Sequence, residues 1–223
     1  MNETSVFLLG FGGNGKVIAD ICADIGITIV GFFDDNISEI DDKSYQWIKF
    51  LGTCNDLINN NYQCKNAIIT IGNIDMREKI SRSLSNKGYQ FPNIIHKNTY
   101  IARSAVLGFG NVIYNNATIN SSAKVGNFNL INSSSIIEHD CEIGDFNNIS
   151  PNVTICGTCY IRNNNFIGAS TTIRNNITIG NNNIVGCASN IVKNIDSNEK
   201  GFGNPFNIIP NKNRHFLKPD IIL

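Results

Sequence analysis

From Ile95 onward a branched aliphatic residue returns at every sixth position. The series is Ile95, Ile101, Leu107, Ile113, Ile119, Val125, Ile131, Ile137, Ile143, Ile149, Ile155, Ile161, Ile167, Ile173, Ile179, Val185 and Ile191. A period of six fits neither a strand, which repeats every two residues, nor a helix, which repeats every 3.6. It predicts short flat sides of a triangular coil, with three sides making one turn of roughly 18 residues. The span 95–191 then holds roughly five coils, each pointing its aliphatic residues into a prism. Burying one such side chain is worth about 1.5–3 kcal/mol before ordering entropy is subtracted. Small residues often come next, as in Ala102, Gly108, Gly126, Gly144, Gly168, Gly180 and Gly186. The residue four after each aliphatic is often small or apolar, as in Ala105, Ala117, Ala123, Ser135, Cys141, Val153, Cys159, Thr171 and Ser189. Both preferences are expected to mark tight corners. Asparagine runs such as 163–165 and 181–183 read as corners too, since Asn tolerates the left-handed conformation.

The first ninety residues follow another pattern. Residues 5–9 read as a buried strand, followed by Gly10-Phe11-Gly12-Gly13-Asn14-Gly15, which fits GxGxxG. Residues 16–25 predict a helix with Val17, Ile18, Ile21 and Ile25 on one face. A strand at 27–33 ends at Asp34-Asp35, and a strand at 66–71 precedes Gly72-Asn73 and a helix over 75–86. Residues 36–65 are polar and read as loop-rich. The fold class is therefore mixed α/β plus all-β: a small N-terminal Rossmann-like βαβαβ domain followed by a left-handed parallel β-helix. The expected boundaries are 1–92, 93–200 and a C-terminal tail at 201–223.

Glycines at a strand–helix turn let a phosphate-bearing ligand approach the backbone at a helix N-terminus. Asp34 or Asp35 could take ribose hydroxyls or base-edge donors. A nucleotide sugar is the preferred ligand. An NAD-dependent oxidoreductase would need a catalytic domain, and the remainder of the chain is all β-helix.

Composition narrows the picture. The 223 residues carry 18 basic and 18 acidic side chains, so neither nucleic acid nor an anionic membrane is the expected partner. No apolar run reaches the roughly 18 residues that a membrane span needs, and the N-terminus lacks the pattern of a secretory signal. Seven scattered cysteines do not suggest a disulfide framework, so a cytoplasmic location is expected. Cys156-Gly157-Thr158-Cys159 reads as coil wall, since a structural zinc site would want a second ligand pair; no metal is expected.

Of three histidines, His215 lies in a polar tail and reads as a solvated surface residue. His96 sits at the first coil, where it could cap a helix or line a substrate site. His139 follows the inward-facing Ile137 by two residues, where its side chain should leave the prism wall, and Glu138 and Asp140 flank it. Acyl transfer from a thioester needs a base for the acceptor's proton, a donor for the developing oxyanion and a slot that aligns the reactants. An adjacent carboxylate can orient the imidazole and raise its basicity. A pure scaffold would give no reason for a single histidine–acid pair among Asn and Ser.

The order of motifs is specific: Gly-x-Gly-Gly-Asn-Gly-Lys-Val, Phe33-Asp34-Asp35, Ile71-Gly72-Asn73, Ile95-His96-Lys97, Asn132 through Cys141, and Ile143-Gly144-Asp145-Phe146. From about residue 5 to 205 the chain resembles the sugar O-/N-acetyltransferase family. That family includes the bacillosamine-pathway nucleotide-amino-sugar N-acetyltransferases and the sialic acid O-acetyltransferases. The resemblance implies a homotrimer with active sites between neighbouring β-helices and acetyl-CoA lying along the coils. It implies His139 as catalytic base, Asp140 as supporting acid, and substrate contacts at Gly12, Gly13, Asn14, Asp34, Asp35 and Gly72. It places acetyl-CoA contacts on Asn148, Ala169 and Cys187. The chain departs from the family at Asn14 and Asn148, where histidines are usual, and at Phe206, where the Gly-x-Pro-Ala turn has alanine.

The resulting expectation is direct N-acetylation of a nucleotide-linked 4-amino-4,6-dideoxy sugar. The alternative enzyme is an O-acetyltransferase of sialic acid or a related free sugar. A third reading is a non-catalytic trimeric scaffold that binds a nucleotide sugar.

Overall fold

The computed structural model describes residues 5–36 and 43–210, which fall into two compact units, 1–94 and 95–223. The predicted surface histidine His215 lies outside the described residues.

The first unit is a four-stranded parallel sheet in the order β3-β2-β1-β4, formed by β1 (Ser5–Leu9), β2 (Thr28–Phe33), β3 (Phe50–Gly52) and β4 (Ala67–Ile69). Helix α1 (Gly13–Asp24) connects β1 to β2, α2 (Cys54–Asn59) connects β3 to β4, and α3 (Ile74–Ser85) follows β4. Val6, Phe7, Leu8 and Leu9 are all buried, as a parallel strand covered on both faces requires. Helix α1 starts at Gly13, three residues before the predicted start, because a run of glycines carries no apolar periodicity. The stretch read as loop-rich holds β3 and α2. Both are short, and α2 is fixed by a capping box between Thr53 and Asp56 rather than by an apolar face.

The second unit is the left-handed β-helix. Each predicted ladder residue ends a two-residue strand, and parallel strands eighteen residues apart pair in register, as in Ile137 with Ile119 and Ile155. Three faces result. The first runs from Ile94–Ile95 through Leu130–Ile131 and Asn148–Ile149 to Ile184–Val185. The second includes Ile136–Ile137 and Thr154–Ile155, and the third includes Glu142–Ile143. The prism interior is one apolar cluster from Ile113 to Ile195.

The corner reading needs correction for the residue four after the ladder, while a Cβ on Gly108, Gly126 or Gly168, just after it, would clash with the next coil as expected. The left-handed residue lies three after each ladder position, from Gly110 and Asn116 through Asp140 to Ala188. The residue four after the ladder is an interior position, and Ala117, Cys141, Val153 and Cys159 are all fully buried. Its small size reflects room inside the prism rather than turn geometry.

Asparagine accordingly serves two sites. Asn116, Asn152, Asn164, Asn176 and Asn182 are left-handed corners. Asn111, Asn129, Asn147, Asn165 and Asn183 are buried and stacked. The amide oxygens of Asn111, Asn129, Asn147 and Asn165 each accept the backbone N–H of the asparagine one coil on, at 2.8–2.9 Å, and Asn183 ends the ladder by accepting from Glu199 N–H. The ladder satisfies backbone donors that would otherwise be buried unpaired.

Residues 201–208, expected to begin the tail, extend the first face together with Lys200. Lys200–Phe202 pairs parallel with Ile184–Val185 and antiparallel with Asn207–Ile208.

Candidate functional site

In the first unit β1 delivers the chain into the glycine turn. Gly10 has φ +95° and crowds Thr70 and Ile71, so only glycine fits there without strain. Phe11 N–H donates to Asp34 Oδ2 at 2.7 Å, which ties the turn to the end of β2. Gly12 caps α1 without any side-chain hydrogen bond, and the helix has no acidic residue in its first turn. A Cβ on Gly12 or Gly13 would meet nothing within 4 Å, whereas one on Gly15 would lie 2.5 Å from the Gly10 carbonyl oxygen. Gly15 is thus needed for close strand–helix packing, while Gly12 and Gly13 leave open backbone at a positive helix end. Gly15→Ala is expected to destabilise this unit by about 1–3 kcal/mol through overpacking, and Gly12→Ala by much less. Thermal unfolding of the two variants side by side checks this.

Asn14 is half-buried in the first turn of α1. Asp34 Oδ1 also accepts the N–H of Asn36, and Asp35 Oδ1 accepts the N–H of Cys54 at the start of α2. The two acids are therefore held by backbone donors, with Asp35 exposed and Asp34 half-buried. Burial first, then the charges of Asp35 and Asp34, push the Cys54 thiol up to about 12, so it stays protonated and inert. Near Gly72 the buried Arg77 donates to the carbonyls of Ile71 and Gly72, and Asn73 caps α3 by accepting from Met76 N–H. Gly72 thereby sits in a turn fixed from both sides.

On the β-helix, Ile137 points inward and the chain then turns through Asp140, whose φ is +59°. The corner lets neighbouring side chains meet: His139 Nδ1 lies 2.8 Å from Asp140 Oδ2. Facing a carboxylate oxygen, Nδ1 is the donating nitrogen, which in the neutral ring leaves Nε2 as the acceptor. Both side chains are more than half exposed, at 56% and 59%. Glu138 accepts from the His139 backbone N–H at the long distance of 3.4 Å. Asp140 N–H and the His139 carbonyl bond to Ser121 and Thr158 on the adjoining coils, which fixes the backbone beneath the pair. His96 is half-buried, and its Nδ1 accepts from Asn98 N–H.

Asn148 stands on the first face between Leu130 and Phe166, and is 6% exposed. Ala169 and Cys187 follow that face on successive coils, and Ala188 N–H bonds to the Ala169 carbonyl. Cys187 is exposed. His139 follows a strand of the second face, so one chain does not bring it together with this column.

Cys141 is fully buried, two residues after His139. Its hydrogen bond with Cys159 and its burial hold its thiol far above the usual range. Sequence reasoning missed Gly157, which lies directly against the imidazole: a Cβ there would be 2.6 Å from His139 Cε1. The spacing of eighteen residues was the available signal. Among the described residues no helix is long and apolar enough to cross a membrane, and no group of three or more His, Cys, Asp or Glu could hold a metal ion.

Comparison with known proteins agrees with this architecture. Residues 5–84 match the family model of the PglD N-terminal domain. The chain is 25% identical to the acetyltransferase domain of PglB from Neisseria gonorrhoeae FA1090 in complex with acetyl coenzyme A, covering 93% of this chain and 100% of that one with a TM-score of 0.85. It is 25% identical to WeeI from Acinetobacter baumannii AYE, covering 92% and 100% with a TM-score of 0.82. It also shares the fold of a mutant perosamine N-acetyltransferase from Caulobacter crescentus in complex with CoA and GDP-perosamine, at 21% identity, 93% and 97% coverage and a TM-score of 0.86. Among curated proteins, an uncharacterized protein of Acanthamoeba polyphaga mimivirus is 37% identical over 105 residues, 47% of this chain; the match spans 20% of that relative's length.

Proposed function

We propose that this chain, a hexapeptide-repeat acyltransferase with a PglD N-terminal domain, moves an acetyl group from acetyl-CoA to the amine of a nucleotide-linked 4-amino-4,6-dideoxy sugar. The observation that carries the reading is the His139–Asp140 pair at 2.8 Å on an exposed coil corner. A glycine turn with open backbone at a helix N-terminus supports a phosphate-bearing acceptor. The solved relatives crystallised with acetyl coenzyme A, or with CoA and GDP-perosamine, support both co-substrate classes.

In this mechanism the acceptor nitrogen attacks the thioester carbonyl carbon while His139 Nε2 takes its proton. Asp140 keeps Nδ1 protonated and stabilises the imidazolium that forms. The C–S bond then breaks, the imidazolium returns the proton to the leaving thiolate, and the products are the acetamido sugar and CoA. Asn148 can donate its amide N–H toward the developing oxyanion. Gly12, Gly13 and Asn14 hold the diphosphate, Asp34 and Asp35 hold the nucleoside, and Gly72 contacts the sugar. Ala169 and Cys187 border acetyl-CoA.

The separation of His139 from the Asn148 column on one prism supports a homotrimer, in which a neighbouring copy completes each site. Seven free cysteines fit a reducing cytoplasm.

No acyl-enzyme is required, and the buried, protonated Cys141 is unsuited to form one. Cys141→Ala is therefore expected to keep turnover within about threefold of wild type, which steady-state kinetics would check; loss of turnover in a folded variant would contradict direct transfer. The substrate class is tested by thiol release from acetyl-CoA across UDP-, dTDP- and GDP-linked 4-amino sugars and free sialic acid. Turnover on one nucleotide amino sugar supports the reading. Activity confined to free sialic acid would replace it with O-acetylation, and silence on all with a ligand-binding scaffold.

A further inference from the structure

The second face carries one outward position per coil in the register of His139: Arg103, Ser121, His139, Gly157, Asn175 and Lys193. Only one of these is glycine. A Cβ built on Gly157 would lie 2.6 Å from His139 Cε1, 2.7 Å from Nε2 and 3.2 Å from Nδ1. No other side chain contributes to those three closest approaches, so the imidazole rests directly on the bare backbone of the following coil.

The backbone at Gly157 does not itself require glycine. Its φ lies outside the left-handed region, and the residues in the same register on adjoining coils have side chains. The neighbouring ladder bonds, Thr158 N–H to the His139 carbonyl and Asn176 N–H to the Gly157 carbonyl, follow the pattern of the coils around them. The missing Cβ therefore serves the imidazole, not the turn.

We propose that Gly157 is a positioning residue, the floor that seats the His139 ring so that Nδ1 meets Asp140 and Nε2 remains open to the acceptor. The proposal rests on His139 acting as the base. A methyl group at 157 would press on the Cε1–Nε2 edge, the edge that must receive the proton. The ring would have to rotate about its side-chain torsions, and the bond to Asp140 would be lost or lengthened. Misplacement of a catalytic group by about 1 Å can cost roughly a hundredfold in rate.

The test compares full-length Gly157→Ala, Asn175→Ala and His139→Ala with wild type. Two readouts are used: steady-state kinetics, and the nitrogen NMR spectrum of the imidazoles, with the His139 signal assigned by its loss in His139→Ala. Gly157→Ala is expected to lower kcat by roughly ten- to a hundredfold with KM for acetyl-CoA nearly unchanged. It is also expected to move the His139 nitrogen signals away from the pattern of an Nδ1–H held by a carboxylate. Asn175→Ala, in the same register one coil on, should change neither readout. An unaltered His139 spectrum in a folded Gly157→Ala protein would overturn the proposal, whatever its rate. Inactivity of His139→Ala alongside that result would leave the base assignment standing; full activity of His139→Ala would instead remove the base assignment itself.

Discussion

His139→Ala is expected to slow acetyl transfer by about a hundredfold or more while leaving the β-helix folded. The imidazole is more than half exposed, so its loss opens no cavity in the prism. Its recorded partners are a neighbouring carboxylate and the backbone at Gly157, neither of which supports the interior. The loss should therefore fall on kcat, because a base acts in the transition state and adds little to ground-state binding. Circular dichroism and thermal unfolding of the variant should match wild type. A rate within a few-fold of wild type would show that the acceptor loses its proton elsewhere.

The second large effect concerns stability. Ile155→Ala should destabilise the second unit by about 2–5 kcal/mol, the range for emptying a fully buried aliphatic site. Ile155 is 0% exposed and stacks between Ile137 and Ile173 on adjoining coils. Coils of a solenoid contact only their neighbours, so a cavity in a central coil weakens two interfaces at once. The thermal midpoint should fall by roughly 10 °C, given about 2–4 °C per kcal/mol in chains of this length. Ile95→Ala, at the partly buried first coil, should cost much less. Equal midpoints for the two variants would contradict the stacked-coil account.

The ladder of aliphatics was legible because one interior position on every side demands a branched side chain, with no strand–turn ambiguity to blur it. Asparagine was legible only in part. The same residue type serves the left-handed corner at Asn164 and the buried ladder at Asn165, and adjacent positions in a run of Asn look alike. In the first unit β3 and α2 escaped notice because three and six residues are too few to display a period. The pair His139–Asp140 could be read from adjacency, but its contact depends on Asp140 turning the corner at positive φ. Gly157 lies a full coil away, so its contact with His139 emerges only once the eighteen-residue pitch is built.

The most direct test of the central claim is incubation of the full chain with carbon-13 acetyl-CoA and a panel of nucleotide-linked 4-amino-4,6-dideoxy sugars, with the product examined by NMR. The account predicts an acetamide on the sugar amine with one nucleotide, formed by wild type and nearly absent with His139→Ala. An acetate ester in place of the amide, or no labelled sugar with any acceptor, would contradict it.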